Sequence, residues 1–541
     1  MPPDELVRSL ASRKIASHIW WRHTSVFLPA MAPPAQHDVV KNRLGWLDAP
    51  DDAARQVAEL DVFAAGVRRD GLTDLYLIGM GGSSLAAEVL RDVPAQHGTL
   101  ARLTVLDTTD ERRIRETSER LALAPERSLV LVSSKSGSTI EVTALERHFW
   151  SLLARRRGGP AGAQFVAVAD PETPLAALAR ERAYRRLFLN RADIGGRYSA
   201  LSFFGLVPAA LLGLDLRALI SSAQRVAASC RADAVSNPGL ALGAFLSAQA
   251  AAGRDKLTLL TSPDLASLGA WVEQLVAEST GKDGRGMLPV VGEPVGAPDD
   301  YGPDRAFVAL VSPGDEATGA IAAVLDAAGR PVLRLDVGPA DRGGEFFRWE
   351  FGTAVLGTSI VVNPFDEPNV RDAKARTAAQ LEHRATTGNF RIDPALEQQA
   401  GYLVRASRSV RPRDPGGRYL AILDYLPDDP SRAEVIARIR VHHRHATGQA
   451  TTYGVGPRYL HSTGQYYKGG PNTGLFVLLT GADKSRTPVP GEAYSFNSLR
   501  YAQALGDFEA LVATDRDVVH CHFETPPGDL ETAIQHAIKS I

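Results

Sequence analysis

Cysteine is almost absent from this sequence: Cys230 and Cys521 are the two in 541 residues. Neither stands in a CxxC pair or in any metal-ligand spacing. That excludes a disulfide framework and a thiolate metal site, and a reduced, cytoplasmic setting is expected. Net charge is nearly absent too, at −2 with 23% charged residues. No basic field is left to recruit nucleic acid or an anionic membrane surface. Long apolar runs are missing as well. The most apolar stretch, GLVPAALLGLDLRALI, carries Asp215 and Arg217 and falls short of a bilayer span. The opening residues, MPPDELVRSLASRK, contain acids and no apolar run, so they do not read as a secretory signal. The chain is too long for one core, and about three domains are expected.

Against these absences one stretch is dense with chemistry. LVLVSSKSGSTIE, Leu129 to Glu141, runs from a buried strand into Ser133, Ser134, Lys135, Ser136, Gly137, Ser138 and Thr139. The residues after it, TIEVTALERHFWSLLARR, have apolar positions at helical spacing. The hydroxyl loop therefore sits between a strand end and a helix N-terminus, where unpaired N–H groups and a partial positive charge favour an anion. One serine there would be an ordinary helix cap. A cluster of hydroxyls with a glycine and a lysine suits a phosphate monoester.

The rest of the chain is periodic. Residues 1–50 read as an N-terminal helical extension in which Trp20 and Trp21 are packing residues. Over 51–235, strands at DLYLIG, RLTVLD, LVLVSS and QFVAVAD alternate with helices, which predicts a doubly wound parallel sheet with ligands at its strand C-terminal ends. A second such series, KLTLLTS, MLPVVGEP, AFVALVS and PVLRLDVG, fills 236–410. RPRDPGGR reads as a linker. Residues 411–541 have strands at YLAILDYL, ATTYGVGPRYL, LFVLLT and DVVHCHFE and read as a small α+β domain with a largely separate role. The fold class is thus α/β, with two doubly wound parallel-sheet domains and a small C-terminal α+β domain.

The first sheet offers a second glycine turn, IGMGGSS, Ile78 to Ser84. Gly79 and Gly81 fit the start of a dinucleotide fingerprint, but Ser84 stands at its third glycine position, while Asp107 ends the next strand. A nicotinamide dehydrogenase is therefore a competing reading. Two hydroxyl-rich turns on one sheet edge suit a phosphorylated small molecule better.

The pairing of IGMGGSS with SSKSGST resembles the sugar isomerase (SIS) phosphosugar-binding domain. IGGRYSALS, AESTGKDG with VVGEP, and NPFDEPNVRDAK are similar to the GGRYS, ESNGK and FDQxGVExxK segments of the glucose-6-phosphate isomerase family, in that order. With NRLGWL and RYLHSTGQYYKGGP, the chain looks most like the isomerase half of bifunctional transaldolase/glucose-6-phosphate isomerases. The resemblance implies two SIS-type domains and an aldose–ketose isomerase of glycolysis and gluconeogenesis working through an enediol. It implies no metal and no cofactor. The partner is a small sugar phosphate, with no nucleic acid and no membrane, and a homodimer is expected.

Residue by residue, the resemblance makes Glu278 the proton-transfer base, Arg197 the cation near the enediolate and Lys374 a ring-opening group. Phosphate and sugar contacts fall to Gly82, Ser83, Ser134, Lys135, Ser136, Ser138, Thr139 and Gly196. The family histidine has no counterpart after VVGEP, where Asp304 and Arg305 lie nearest. His461, in the polar glycine-rich loop RYLHSTGQYYKGGP, is the candidate to replace it, reached from another domain or subunit. Lys468 and Gln465 could equally bind sugar. His442, His443 and His445 read as exposed on a charged helix, and His520 and His522 form no metal pattern. A non-catalytic SIS phosphosugar sensor is the alternative from another class, and acceptance of mannose 6-phosphate stays open.

Overall fold

The computed structural model describes residues 1–29, 31–93, 102–158, 161–391, 397–399, 402–408, 417–482, 486–524 and 530–539. The first sheet holds β1 (Asp74–Ile78), β2 (Arg102–Leu106), β3 (Ser128–Ser134), β4 (Phe165–Ala169) and β5 (Arg186–Leu189), all parallel, in the order β2-β1-β3-β4-β5. Successive side chains of a strand point to opposite faces. Leu75, Leu77, Leu129 and Leu131 accordingly pack into one apolar cluster, and Tyr76, Ile78, Val130 and Val132 into another. Burial on both faces is why β3 reads as an unbroken apolar run. The strand order reverses between β1 and β3, so the loops leaving them diverge and open a crevice at their C-terminal ends.

The second sheet is β6 (Lys256–Thr261), β7 (Leu288–Val290), β8 (Arg305–Val311) and β9 (Val332–Asp336), parallel, in the order β7-β6-β8-β9. The helices Ala266–Thr280 and Arg342–Ile360 lie behind it. Both are buried over most of their length, including all residues from Leu275 to Thr280. Trp20 stacks on Phe347 at 5.8 Å and donates to the Cys230 carbonyl, so it does pack. Its neighbour Trp21 is 59% exposed and meets the His18 and His23 rings instead of the core, because the helix Ile15–Trp20 ends before it.

The third sheet is mixed. It comprises β10 (Glu397–Gln399), β11 (Tyr402–Ser407), β12 (Tyr419–Tyr425), β13 (Ala450–Val455), β14 (Gly474–Gly481) and β15 (Asp517–Phe523), in the order β10-β11-β15-β14-β12-β13. Strands β12 to β15 are mutually parallel, and β11 runs antiparallel to β15. Strands β10 and β11, which lie upstream of the expected boundary at 411, pair into this sheet. The expected linker lies mostly outside the described residues. His443 is buried and bonded to Gln449 at 3.1 Å, not exposed as its charged neighbours suggested. No helix among the described residues is long and apolar enough to cross a membrane.

Candidate active site

The hydroxyl loop follows β3, as its pattern required. Thr139 precedes the helix Ile140–Arg157 but makes no capping bond. Its Oγ1 lies instead 3.3 Å from Ser134 Oγ and 3.5 Å from Ser136 Oγ. Ser134 Oγ accepts from the Gly137 N–H at 3.1 Å. Ser138 bonds back to Ser136, from both its N–H and its hydroxyl, at 3.4 Å. Gly137 has a φ of +66°, and a Cβ there would stand 2.7 Å from Thr173 Cβ, so the loop's tight reversal requires glycine. Lys135 is held by the neighbouring strand as well as by the loop. Its ammonium pairs with Asp170 at the end of β4 and donates to the Ala192 carbonyl at 3.1 Å. It lines the same cavity as Ser136 and Thr139.

The glycine turn after β1 forms a short 3-10 helix, Gly81–Ser83. A Cβ on Gly82 would come within 2.0 Å of the Gly196 carbonyl. Gly82 and Gly196 thus let two turns touch, and Ser199 bridges them by a bond to the Gly196 carbonyl at 2.6 Å. That contact carries Arg197 into the cleft floor. Arg197 is 4% exposed and its donors are tied down. Nε donates to Ser279 at 2.8 Å, and Nη2 to the Pro364 and Asp366 carbonyls, each at 2.8 Å. Nη1 donates to Glu367 at 3.0 Å and lies 3.8 Å from Glu278 Oε1.

Glu278 sits near the end of the buried helix Ala266–Thr280, so its carboxylate reaches the cleft from below. Gln274, one turn earlier, donates to it at 3.1 Å. Burial pushes the Glu278 carboxyl above its ordinary range, with Arg197 opposing and Glu367 adding to the rise. A carboxylate that is buried, ionisable and next to a guanidinium can accept a proton from carbon when water is kept out.

His461 comes from the third unit. It ends a short 3-10 helix, Arg458–His461, and its backbone carbonyl accepts from Gln274 at 2.8 Å. The imidazole Nε2 bonds Glu141 Oε1 at 2.9 Å. Glu141 stands just after the hydroxyl loop and also accepts from Gln503 at 2.7 Å. Burial opposes ionisation of Glu141, but the imidazole beside it holds the carboxyl below its usual range. No sequence signal singled out Glu141, which looks like an ordinary first-turn helix acid. Its position two residues past Thr139 was the one available hint.

These groups surround one cavity of about 500 Å³, lined by Ser83, Ser136, Thr139, Arg197, Glu278, Glu367, Lys374 and His461. That is ample for a hexose phosphate. A smaller cavity of about 240 Å³ adjoins it behind Glu141 and Ser138. Lys374 lies exposed on the helix Pro368–Thr387, and its ammonium has no ion-pair partner among the described residues. Two other candidates make structural contacts. Gln465 donates to the Gly281 carbonyl at 2.9 Å and to Asn369 at 2.7 Å, pinning the Glu278 helix end to the 363–374 segment. Lys468 is buried against Asp507 at 2.5 Å. Arg305, fully buried and paired with Glu293, lies outside the cleft, so the residues after VVGEP supply no substitute for the histidine.

A family model for phosphoglucose isomerase matches residues 60–286, which include the hydroxyl loop, Arg197 and Glu278. The glucose-6-phosphate isomerase of Rubrobacter xylanophilus is 30% identical over 391 residues, covering 62% of this chain and 89% of that one. This chain belongs to the glucose-6-phosphate isomerase family. Among solved structures, a hypothetical protein from Thermus thermophilus matches with a TM-score of 0.58 and 26% identity, over 69% of this chain and 96% of that one. The glucose-6-phosphate isomerase of Chlamydia trachomatis matches in fold, with a TM-score of 0.56 and 18% identity, over 71% and 86% of the two chains. The family match ends before Lys374 and His461, so the two cleft residues furthest along the chain lie beyond the region that family model covers.

Proposed function

We propose that this enzyme interconverts glucose 6-phosphate and fructose 6-phosphate through an enediol, without a metal or a cofactor. What carries the reading is the convergence on one cavity of a buried carboxylate, a fixed guanidinium, a histidine–carboxylate pair and a cluster of hydroxyls. Ser83, Ser134, Ser136, Ser138 and Thr139 hold the phosphate with hydroxyls and with the helix N-terminus behind them. His461, its other nitrogen anchored by Glu141, exchanges a proton with the ring oxygen as the pyranose opens, and Lys374 assists from the cleft mouth. Glu278 then takes the proton from the carbon beside the carbonyl and returns it to the neighbouring carbon. Arg197 supplies positive charge where the enediolate oxygens develop. The same reading has the chain act as a cytoplasmic homodimer on a small soluble sugar phosphate.

A coupled assay of fructose 6-phosphate turnover tests it, run with and without EDTA. Turnover that survives the chelator is the expected result. Binding of the sugar phosphate with no turnover would replace the enzyme with a sensor, and the same assay with mannose 6-phosphate decides the open substrate.

A further inference from the structure

Glu278 is not the only carboxylate on Arg197. Glu367, just ahead of the helix Pro368–Thr387, lines the same cavity and takes the Arg197 Nη1 bond at 3.0 Å, while Glu278 Oε1 stands 3.8 Å from that same nitrogen. In NPFDEPNVRDAK it stands where the similar family segment has glutamine. The remaining Arg197 donors are held by Ser279 and two backbone carbonyls, so Nη1 is the one corner of the guanidinium that two side chains contest.

We propose that Glu367 is a positioning residue that holds Arg197 Nη1 off Glu278, leaving the base without a direct hydrogen bond from the guanidinium. The inference rests on the assignment of Glu278 as the base. Without Glu367, the nearest acceptor for Nη1 is Glu278 itself. A direct charge-assisted bond between them would satisfy the carboxylate and make it a weaker base. The surrounding charges favour this division. Arg197, Glu367 and His461 act on Glu278, and Gln274 bonds it. Arg197, Lys282 and Arg43 act on Glu367, and Lys282 is itself paired with Asp366 at 2.8 Å. Although burial opposes it, Arg197 holds the Glu367 carboxyl below its usual range.

The test is the acid limb of kcat/KM against pH, which reports the free enzyme's base. Glu367→Gln keeps the bond to Arg197 and removes the like charge, so the limb should move to lower pH by roughly half a unit to one unit. Glu367→Ala also frees Nη1. It should lower kcat by about tenfold or more with KM little changed, and the Gln variant should recover most of that loss. A limb that stays in place in Glu367→Gln overturns the proposal, as does equal damage in both variants accompanied by lost thermal stability. Glu278→Gln, assayed alongside, separates the failures. If it abolishes turnover while the Glu367→Gln limb does not move, the base stands and the positioning role falls. If it leaves turnover intact, the assignment beneath both is wrong.

Discussion

His461 Nε2 and Glu141 Oε1 lie 2.9 Å apart across 320 positions of sequence. Glu141 belongs to the first helical turn after the hydroxyl loop and His461 to a turn of the third unit, so the bond joins the first and last parts of the fold inside the cleft. An ionised Glu141 accepts, so Nε2 carries the proton, and Nδ1 is left as the ring nitrogen without a partner among the described residues. Behind the pair, Gln503 donates to Glu141 and accepts from the Thr109 hydroxyl at 3.1 Å, which fixes its amide orientation.

His461→Asn should depress turnover of the cyclic sugar by on the order of a hundredfold or more while sparing open-chain substrate. Isotope exchange at the carbon next to the carbonyl, started from open-chain sugar, measures the difference. Glu141→Gln should cause a loss of the same kind, because the amide can still accept the ring N–H but no longer supplies the negative charge beside the imidazole. Equal loss on cyclic and open-chain substrate would remove both residues from ring opening.

Glu278→Gln keeps the size of the side chain and its bond to Gln274. Turnover should fall by about a hundredfold to ten-thousandfold with binding of the sugar phosphate nearly unchanged. Steady-state kinetics together with calorimetric titration of fructose 6-phosphate read the two quantities separately.

Replacing Ser134 and Thr139 by alanine removes donors to a charged group, each worth about 1.5–3 kcal/mol. KM for phosphorylated sugar should rise at least tenfold per hydroxyl, while unphosphorylated glucose, tested at high concentration, is unaffected. If both suffer equally, the hydroxyls only shape the loop.

Stability should fall in acid because of His148. Burial pushes its imidazole down to about 4, and it bonds Ser118 Oγ at 2.8 Å. The Ser118 hydroxyl is already donated to the Ile114 carbonyl at 2.7 Å, so the neutral ring must be the donor to Ser118. The unfolded chain takes up this proton near pH 6.5 and the folded chain only near 4. Stability is therefore full above pH 6.5 and is lost as pH drops towards 4, by up to about 3 kcal/mol from this group. Urea midpoints at pH 7 and pH 5 should separate, and His148→Gln should bring them closer.

Much of the site was legible because its parts are local. The hydroxyl loop and the glycine turn sit in short segments whose residue types suit an anion, Arg197 and Glu278 were picked out by the family resemblance of their short segments, and His461 stood out by its polar surroundings. What escaped was decided by distant pairing. The ion pair of Lys135 with Asp170, which the β3–β4 register places beside it, left no mark in the loop's own residues. Glu141 and Glu367 acquire their meaning from His461 and Arg197, which no spacing along the chain relates to them. Strands β10 and β11 form because β15 offers β11 an open edge, and runs as short as three and six residues of mixed polarity leave no periodic trace.

On the proposed mechanism, the bond between Glu141 and His461 also sets when in its life the molecule can work. By residue 286 a chain leaving the ribosome has synthesised the hydroxyl loop, Arg197 and Glu278, but it lacks the imidazole, the amide of Gln503 and the helix that bears Lys374. Translation must run on past the helix Phe496–Ala513 before that histidine is seated. Premature termination between residue 286 and that helix should yield a polypeptide that carries the hydroxyl loop and Glu278 yet, on the proposed mechanism, turns over no closed sugar.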